Sequence, residues 1–240
     1  MLRIIRGNIF NSQCQTLVNT VNCVGVMGAG IALEFKLRFP KMFERYEQHC
    51  QNGVMDIGKL WLYDKESPWV LNFPTKKHWK DPSRKSYLHE GLKRFVETYK
   101  QRGIESVAFP ALGTLNGKLP EDEAIAIMVR HLYMCDIDVD IYIYDRNAED
   151  DWYRKIKQKF ERETIEDIAS ETGLSVHRIS ALHEAFGRSD IHTISQLTAH
   201  KGIGVKTLEV LFRNRGAEST PTEAVENPTQ SSESVQGALL

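Results

Sequence analysis

Short apolar runs rich in β-branched and aromatic residues recur through the first 145 positions, each closed by a polar or glycine-rich break. They predict strands at residues 2–5, 16–22, 59–63, 69–73, 106–110 and 138–144. Between them, apolar residues at helical spacing predict helices at 31–39, 43–51, 86–102 and 122–133. In the third of these, Tyr87, Leu92, Phe95, Val96 and Tyr99 fall at roughly helical intervals. Alternating strands and helices imply an α/β layered sandwich with ligand loops at the strand ends. Past the run 139–144 the strand pattern stops. A charged helix starts near Asp151, and two further helical units cover 164–186 and 197–212. The pattern divides the chain into an α/β domain at 1–150, a small all-α domain at 151–216 and a tail at 217–240.

Composition narrows the class. A chain of 240 residues with 41% hydrophobic content can bury one ordinary core and one smaller one. No apolar run approaches the ~20 residues a membrane span needs, and MLRIIRGNIF is too short and too soon polar for a signal peptide. A cytoplasmic protein without a membrane partner is expected. Cys14, Cys23, Cys50 and Cys135 lie far apart, as reduced thiols do, and the eight histidines form no H-x-x-x-H pair. Neither a metal nor a cofactor is expected. Net charge is +1 over 1–150, +2 over 151–216 and −4 over 217–240. The last segment is rich in Ser, Thr, Pro and Glu and has little to bury, so it reads as a disordered tail.

Two segments carry the chemistry. VNTVNCVGVMGAGIAL (residues 18–33) runs from a strand through Asn22 and three glycines, Gly25, Gly28 and Gly30, into a helix. Glycine lets backbone approach an anion closely, and a helix N-terminus aims free N–H groups at it. The spacing matches neither G-x-G-x-x-G nor a lysine-ending P-loop, and a plain glycine turn between strand and helix is the alternative. VAFPALGTLNGKL (residues 107–119) repeats the arrangement with Gly113 and Gly117. Two such units suggest two loops gripping one diphosphate.

With the opening RGNIFNS (residues 6–12), these segments resemble the macro domain family over roughly residues 1–145. Within that family the similarity is to DarG-type antitoxin and TARG-type hydrolase domains. Those carry a like N-T-V-N-C-x-G-x-M-G-x-G-I-A stretch and a lysine in an F-P-T-K context, here residues 73–76. The resemblance implies a three-layer sandwich with a mixed central sheet, and a cleft for ADP-ribose. It implies Asn8 and Ile9 at the adenine and Asn22 at the distal ribose. It puts Gly28, Ala29, Gly30 and Ile31 on the diphosphate, together with the second loop: Pro110, Leu112, Gly113, Thr114, Leu115, Asn116 and Gly117. The catalytic lysine is Lys76, with Lys77 as competitor. An amine held at the end of a buried strand is partly desolvated, which lowers its pKa and frees its lone pair. The second loop departs from the family. Leu115 stands where glycine is usual, Lys118 where the loop is neutral, and the nearest acids, Glu121 and Asp122, lie downstream.

FPTKKHWKDPSRK (residues 73–85) holds five basic residues between 76 and 85 against one acid, Asp81. Lys77, His78, Trp79, Lys80 and Arg84 form a candidate DNA contact, since cations suit phosphates and a flat ring suits a base. A solvated charged face, with Trp79 as a core anchor, is the bland reading. In the all-α domain, Ala169, Gly173 and Ile179 have helix-turn-helix spacing after Thr164 as N-cap. Residues 197–212 resemble a helix-hairpin-helix, with Lys201, Gly202, Gly204 and Lys206 at a DNA phosphate. A helical dock for a protein partner is the alternative.

The expected function is an ADP-ribosyl glycohydrolase that removes ADP-ribose from DNA bases, in an antitoxin or repair role. The partners implied are ADP-ribosylated DNA and a cognate ADP-ribosyltransferase toxin. The alternatives are a non-catalytic reader of ADP-ribose or a related nucleotide, and a hydrolase of protein-linked ADP-ribose or ADP-ribose 1″-phosphate.

Overall fold

The computed structural model describes residues 1–213 of the chain; the tail expected at 217–240 lies outside them. Six strands form one sheet: β1 (Leu2–Gly7), β2 (Thr16–Val21), β3 (Trp61–Tyr63), β4 (Trp69–Pro74), β5 (Ser106–Pro110) and β6 (Asp138–Tyr144). Their order is β1-β6-β5-β2-β4-β3. Every pair is parallel except β3 against β4, so the sheet is mixed. The inner strands are buried on both faces, which is why they read as continuous apolar runs. Two asparagines break the run and pair with each other: Asn19 Nδ2 donates to Asn72 Oδ1 at 3.0 Å.

Helices α1 (Gly30–Arg38) and α2 (Pro40–Gln51) cover one face, α3 (Lys85–Thr98) and α4 (Glu121–Leu132) the other. On the first face Phe35, Met42 and Tyr46 pack on Leu17, Val21 and Trp61. On the second, Leu92, Phe95 and Met128 pack on Leu71, Val107 and Ile141. The three-layer sandwich with a mixed central sheet is present. Boundaries differ by a few residues. The second helix begins at Pro40 rather than 43, because proline at the first helical position loses no hydrogen bond.

Beyond the sandwich come α5 (Asp151–Arg162), α6 (Ile165–Thr172), α7 (Val176–Phe186), a 3-10 turn at Ser195–Ala199 and α8 (Val205–Arg213). Asp150 and Thr164 cap α5 and α6 through their side chains. Helix α1, sequence GIALEFKLR, is apolar on more than one side, as a helix covered on both flanks must be. Phe35 faces the sheet, while Leu33 and Leu37 share a core with Tyr153, Ile156, Leu208 and Leu211 of the helical unit. Charged groups complete the junction. Arg38 Nη2 lies 2.7 Å from Asp150 Oδ1, its guanidinium is stacked 4.0 Å from the Phe10 ring and 4.7 Å from that of Trp152, and Lys36 pairs with Glu209 at 2.6 Å. Among the described residues, no helix is long and apolar enough to cross a membrane.

Candidate functional site

A cleft of about 860 Å³ opens at the carboxyl ends of β1, β2, β4, β5 and β6. Its floor is the loop from Asn22 to Ala29 and the first turn of α1. Ala29 stands at the N-cap with no side-chain hydrogen bond, so the first N–H groups of α1 lack a protein side-chain cap. Gly28, Ala29, Gly30 and Ile31 all line the cleft beside them. Gly30 has φ +56°, and a Cβ there would sit 2.9 Å from Asn116 Nδ2. The first glycine loop therefore touches the second.

Asn22 holds its own loop in shape. Its Oδ1 accepts from the backbone N–H of Val24 (3.0 Å) and Val26 (3.3 Å) and from the Tyr46 hydroxyl (3.2 Å), while its Nδ2 donates to Val26 O at 2.6 Å. Asn8 is likewise engaged. Its Oδ1 accepts from Phe10 N at 3.0 Å, and its Nδ2 donates to Ala148 O and Asp150 Oδ2, both at 3.3 Å. Both line the cleft, as does Ile9.

The second loop leaves β5 at Pro110. Pro110, Gly113, Thr114, Leu115, Asn116 and Gly117 line the cleft. Leu112 does not: it is fully buried in the core under the loop with Met128, so its expected ligand contact is corrected. Gly117 is where Ser83 approaches, since a Cβ would meet its Oγ at 2.4 Å; Ser83 N donates to Gly117 O at 2.9 Å. The basic segment thus braces the second loop.

Lys76 sits between the loops. The backbone around it extends β4 beside the Asn22 loop: Thr75 N donates to Val21 O (2.9 Å), Cys23 N to Lys77 O (3.0 Å), and Cys23 Sγ to Lys76 O (3.3 Å). Burial pushes the Cys23 thiol up to about 12, which keeps it protonated as that donor. Half-buried Lys76 lines the cleft, and its Nζ donates to the Asn116 carbonyl. Its pKa lies below the usual lysine value. Burial is the main cause, the nearby Lys118 ammonium adds to it, and Asp81 opposes it. Lys77 points elsewhere, 3.6 Å from Asp56 and outside the cleft lining.

Of the other basic-segment residues, Trp79 and Lys80 line the cleft rim. Trp79 is 48% exposed, His78 stacks on it at 5.6 Å, and Lys80 Nζ lies 5.0 Å from its ring centre. Arg84 lies outside the lining, over Tyr87. Lys201, Gly202, Gly204 and Lys206 are exposed on the helical unit, in the turn before α8 and its first residues, with Gly202 at φ +92°. Sequence reasoning missed several lining residues. Tyr142 and Tyr144 alternate at the end of β6, and that period was a usable signal. Glu34 and Ser195, 161 positions apart, meet only in the fold.

The family model for the macro domain matches residues 18–128. A DNA ADP-ribosyl glycohydrolase of Thermus aquaticus is 46% identical over 127 residues, 51% of this chain and 35% of that protein. The solved macrodomain of Thermus aquaticus DarG is similar with 41% identity and a TM-score of 0.56, covering 60% of this chain and 98% of that one. Thermosipho africanus DarTG, solved in complex with ADP-ribose, is 37% identical with a TM-score of 0.55, covering 59% of this chain and 41% of that one. The matches span 35–42% of the length of the first four curated relatives. The family model ends at residue 128, before the helical unit begins.

Proposed function

The chain belongs to the macro domain family, and from that premise we propose that it is a cytoplasmic ADP-ribosyl glycohydrolase acting on ADP-ribosylated DNA. The observation that carries the reading is Lys76, a partly desolvated amine between two glycine loops in a cleft sized for a dinucleotide. The names of the Thermus and Thermosipho relatives favour the same substrate. In this reading the N–H groups of residues 28–31 and 114–117 hold the diphosphate, and Asn8 and Ile9 face the adenine. Asn22 fixes its loop and keeps one amide hydrogen for the distal ribose.

Cleavage breaks the bond from C1″ of that ribose to a base nitrogen, which leaves with the electron pair and gains a proton. The sugar becomes oxocarbenium-like. A neutral Lys76 amine serves it by attack at C1″ or by moving the proton, and water ends the cycle as hydroxyl at C1″. Trp79, with His78 and Lys80 beside it, supplies a stacking face for a base of the modified strand, and Lys77 and Arg84 supply charge for its phosphates. The exposed turn at residues 201–206 offers further backbone and lysine contacts to DNA. A cognate transferase, as in DarG-type pairs, would supply the substrate.

The test compares Lys76→Ala with Lys77→Ala on an ADP-ribosylated oligonucleotide. Lys76→Ala loses at least about 10²-fold in turnover and still binds ADP-ribose, whereas Lys77→Ala chiefly weakens DNA affinity. Full turnover in Lys76→Ala removes the mechanism. The second reading is a non-catalytic reader of ADP-ribose. Leu115, 69% exposed at the mouth, and the tie between Lys76 and the Asn116 carbonyl favour it. Wild-type protein inert on DNA-linked, protein-linked and 1″-phosphate substrates would select it.

A further inference from the structure

The cleft has an end that the sandwich does not build alone. Lys76 follows β4, and across the sheet from it lie β2, β5 and then β6 of the β1–β6 edge, three steps or roughly 14 Å away at ordinary strand spacing. At that edge Tyr142 and Tyr144 line the cleft, and Ser195 of the helical unit closes it. The closure is hydrogen-bonded rather than a loose contact. Gln196 Nε2 donates to the Tyr144 hydroxyl at 2.9 Å and to Arg146 O at 3.0 Å. Ser195 Oγ donates to Glu34 Oε1 at 2.7 Å, and Ser195 N approaches the same oxygen at 3.3 Å. Glu34 is only 4% exposed, and its Oε1 is held against Ser195 rather than in solvent.

That contact fixes polarity. A serine hydroxyl has one proton, and here it goes to Glu34, so towards the cleft the oxygen offers lone pairs only. Thr193 Oγ1, 3.2 Å away, occupies at most one of them. An acceptor without a proton to give suits an amine and opposes a carbonyl. We propose that Ser195, positioned by Glu34, is a specificity-determining residue at the base end of the cleft, accepting from the exocyclic amine of a 6-aminopurine and rejecting a 6-oxopurine. The proposal rests on the ADP-ribose reading above. It gives the helical unit a part in ligand selection, independent of any contact with DNA.

The experiment measures, on the full chain, calorimetric affinities for ADP-ribose and for inosine diphosphate ribose, its 6-oxo analogue. Wild type is expected to favour ADP-ribose about tenfold, the scale of one polar contact replaced by an acceptor–acceptor clash. Ser195→Ala should bring the ratio to within about twofold, and Ser195→Thr, which keeps the hydroxyl, should restore it. Glu34→Gln frees the hydroxyl to turn and should also narrow the ratio. If that variant fails to fold, Ser195→Ala and Ser195→Thr still decide. A merely structural role for Ser195 would weaken both ligands in proportion, and that result overturns the proposal. So does a wild type without preference, or Ser195→Ala that keeps it. A wild type that binds neither ligand would instead defeat the ADP-ribose reading itself, and the proposal with it.

Discussion

Leu33→Ala tests whether the helical unit and the sandwich are one cooperative body. Leu33 is 0% exposed, projects from the first turns of α1, and packs in the core shared with Tyr153, Ile156 and Leu208. The substitution removes three carbons. At about 0.8 kcal/mol per buried methylene the transfer loss is roughly 2.4 kcal/mol, and a residual cavity brings the cost to about 3 kcal/mol. For a chain of this size each 1 kcal/mol shifts Tm by roughly 2–4 °C, so Tm should fall by about 6–12 °C. Scanning calorimetry is the assay. One transition is expected in both proteins, displaced as a whole in the variant, because the lost contact belongs to α1 and to the helical unit at once. Two transitions in the wild type, with only one moved by Leu33→Ala, would refute the shared core.

Three further outcomes follow from the site. Gly28→Glu puts a carboxylate at an open position in the first glycine loop, where the nearest atom to a Cβ is 3.9 Å away; if that loop holds the diphosphate, ADP-ribose affinity should be lost in calorimetry while Tm stays within about 2 °C. If neutral Lys76 is the active form, turnover rises with pH through a pKa below the ordinary lysine value. Lys118→Gln removes a like charge that disfavours the ammonium, so that pKa rises and the ascending limb moves to higher pH, whereas Asp81→Asn moves it to lower pH. Lys201→Ala with Lys206→Ala should lessen the log–log salt slope of duplex binding by about 1.8 if each neutralises one phosphate, as fluorescence anisotropy would read.

What could be read from the sequence was local. The strand–glycine–helix segments at residues 16–38 and 106–132 announce themselves, because backbone freedom and apolar period sit side by side in the chain. Lys76 was legible as a strand-end amine, but its separation from Lys77 needed the β2–β4 register, which turns one side chain into the cleft and the next towards Asp56. Leu112 was misjudged because a loop residue next to lining residues can still point into the core. The engagements of Asn8 with Asp150 and of Asn22 with Val26 were invisible for another reason. An asparagine in a motif shows what it could bond, whereas the loop it closes determines what it does bond.

Helix α1 draws these observations together. Its N-terminus follows the first glycine loop, Phe35 seats it on the sheet, Leu33 and Leu37 seat it on the helical unit, and Arg38 ties it to Asp150. A helix held on two flanks cannot tilt without breaking one core or the other, since packed interiors resist small displacements. The N–H groups at its start are thereby fixed before any anion arrives, so little ordering cost remains at binding. The same packing explains why an apolar pattern without one clean face appears at residues 30–38. The mouth of the cleft and the docking of the helical unit thus depend on the same nine residues. A change that loosens α8 against α1, such as breaking the pair of Lys36 with Glu209, therefore acts on the α1 end of the cleft as well as on the junction.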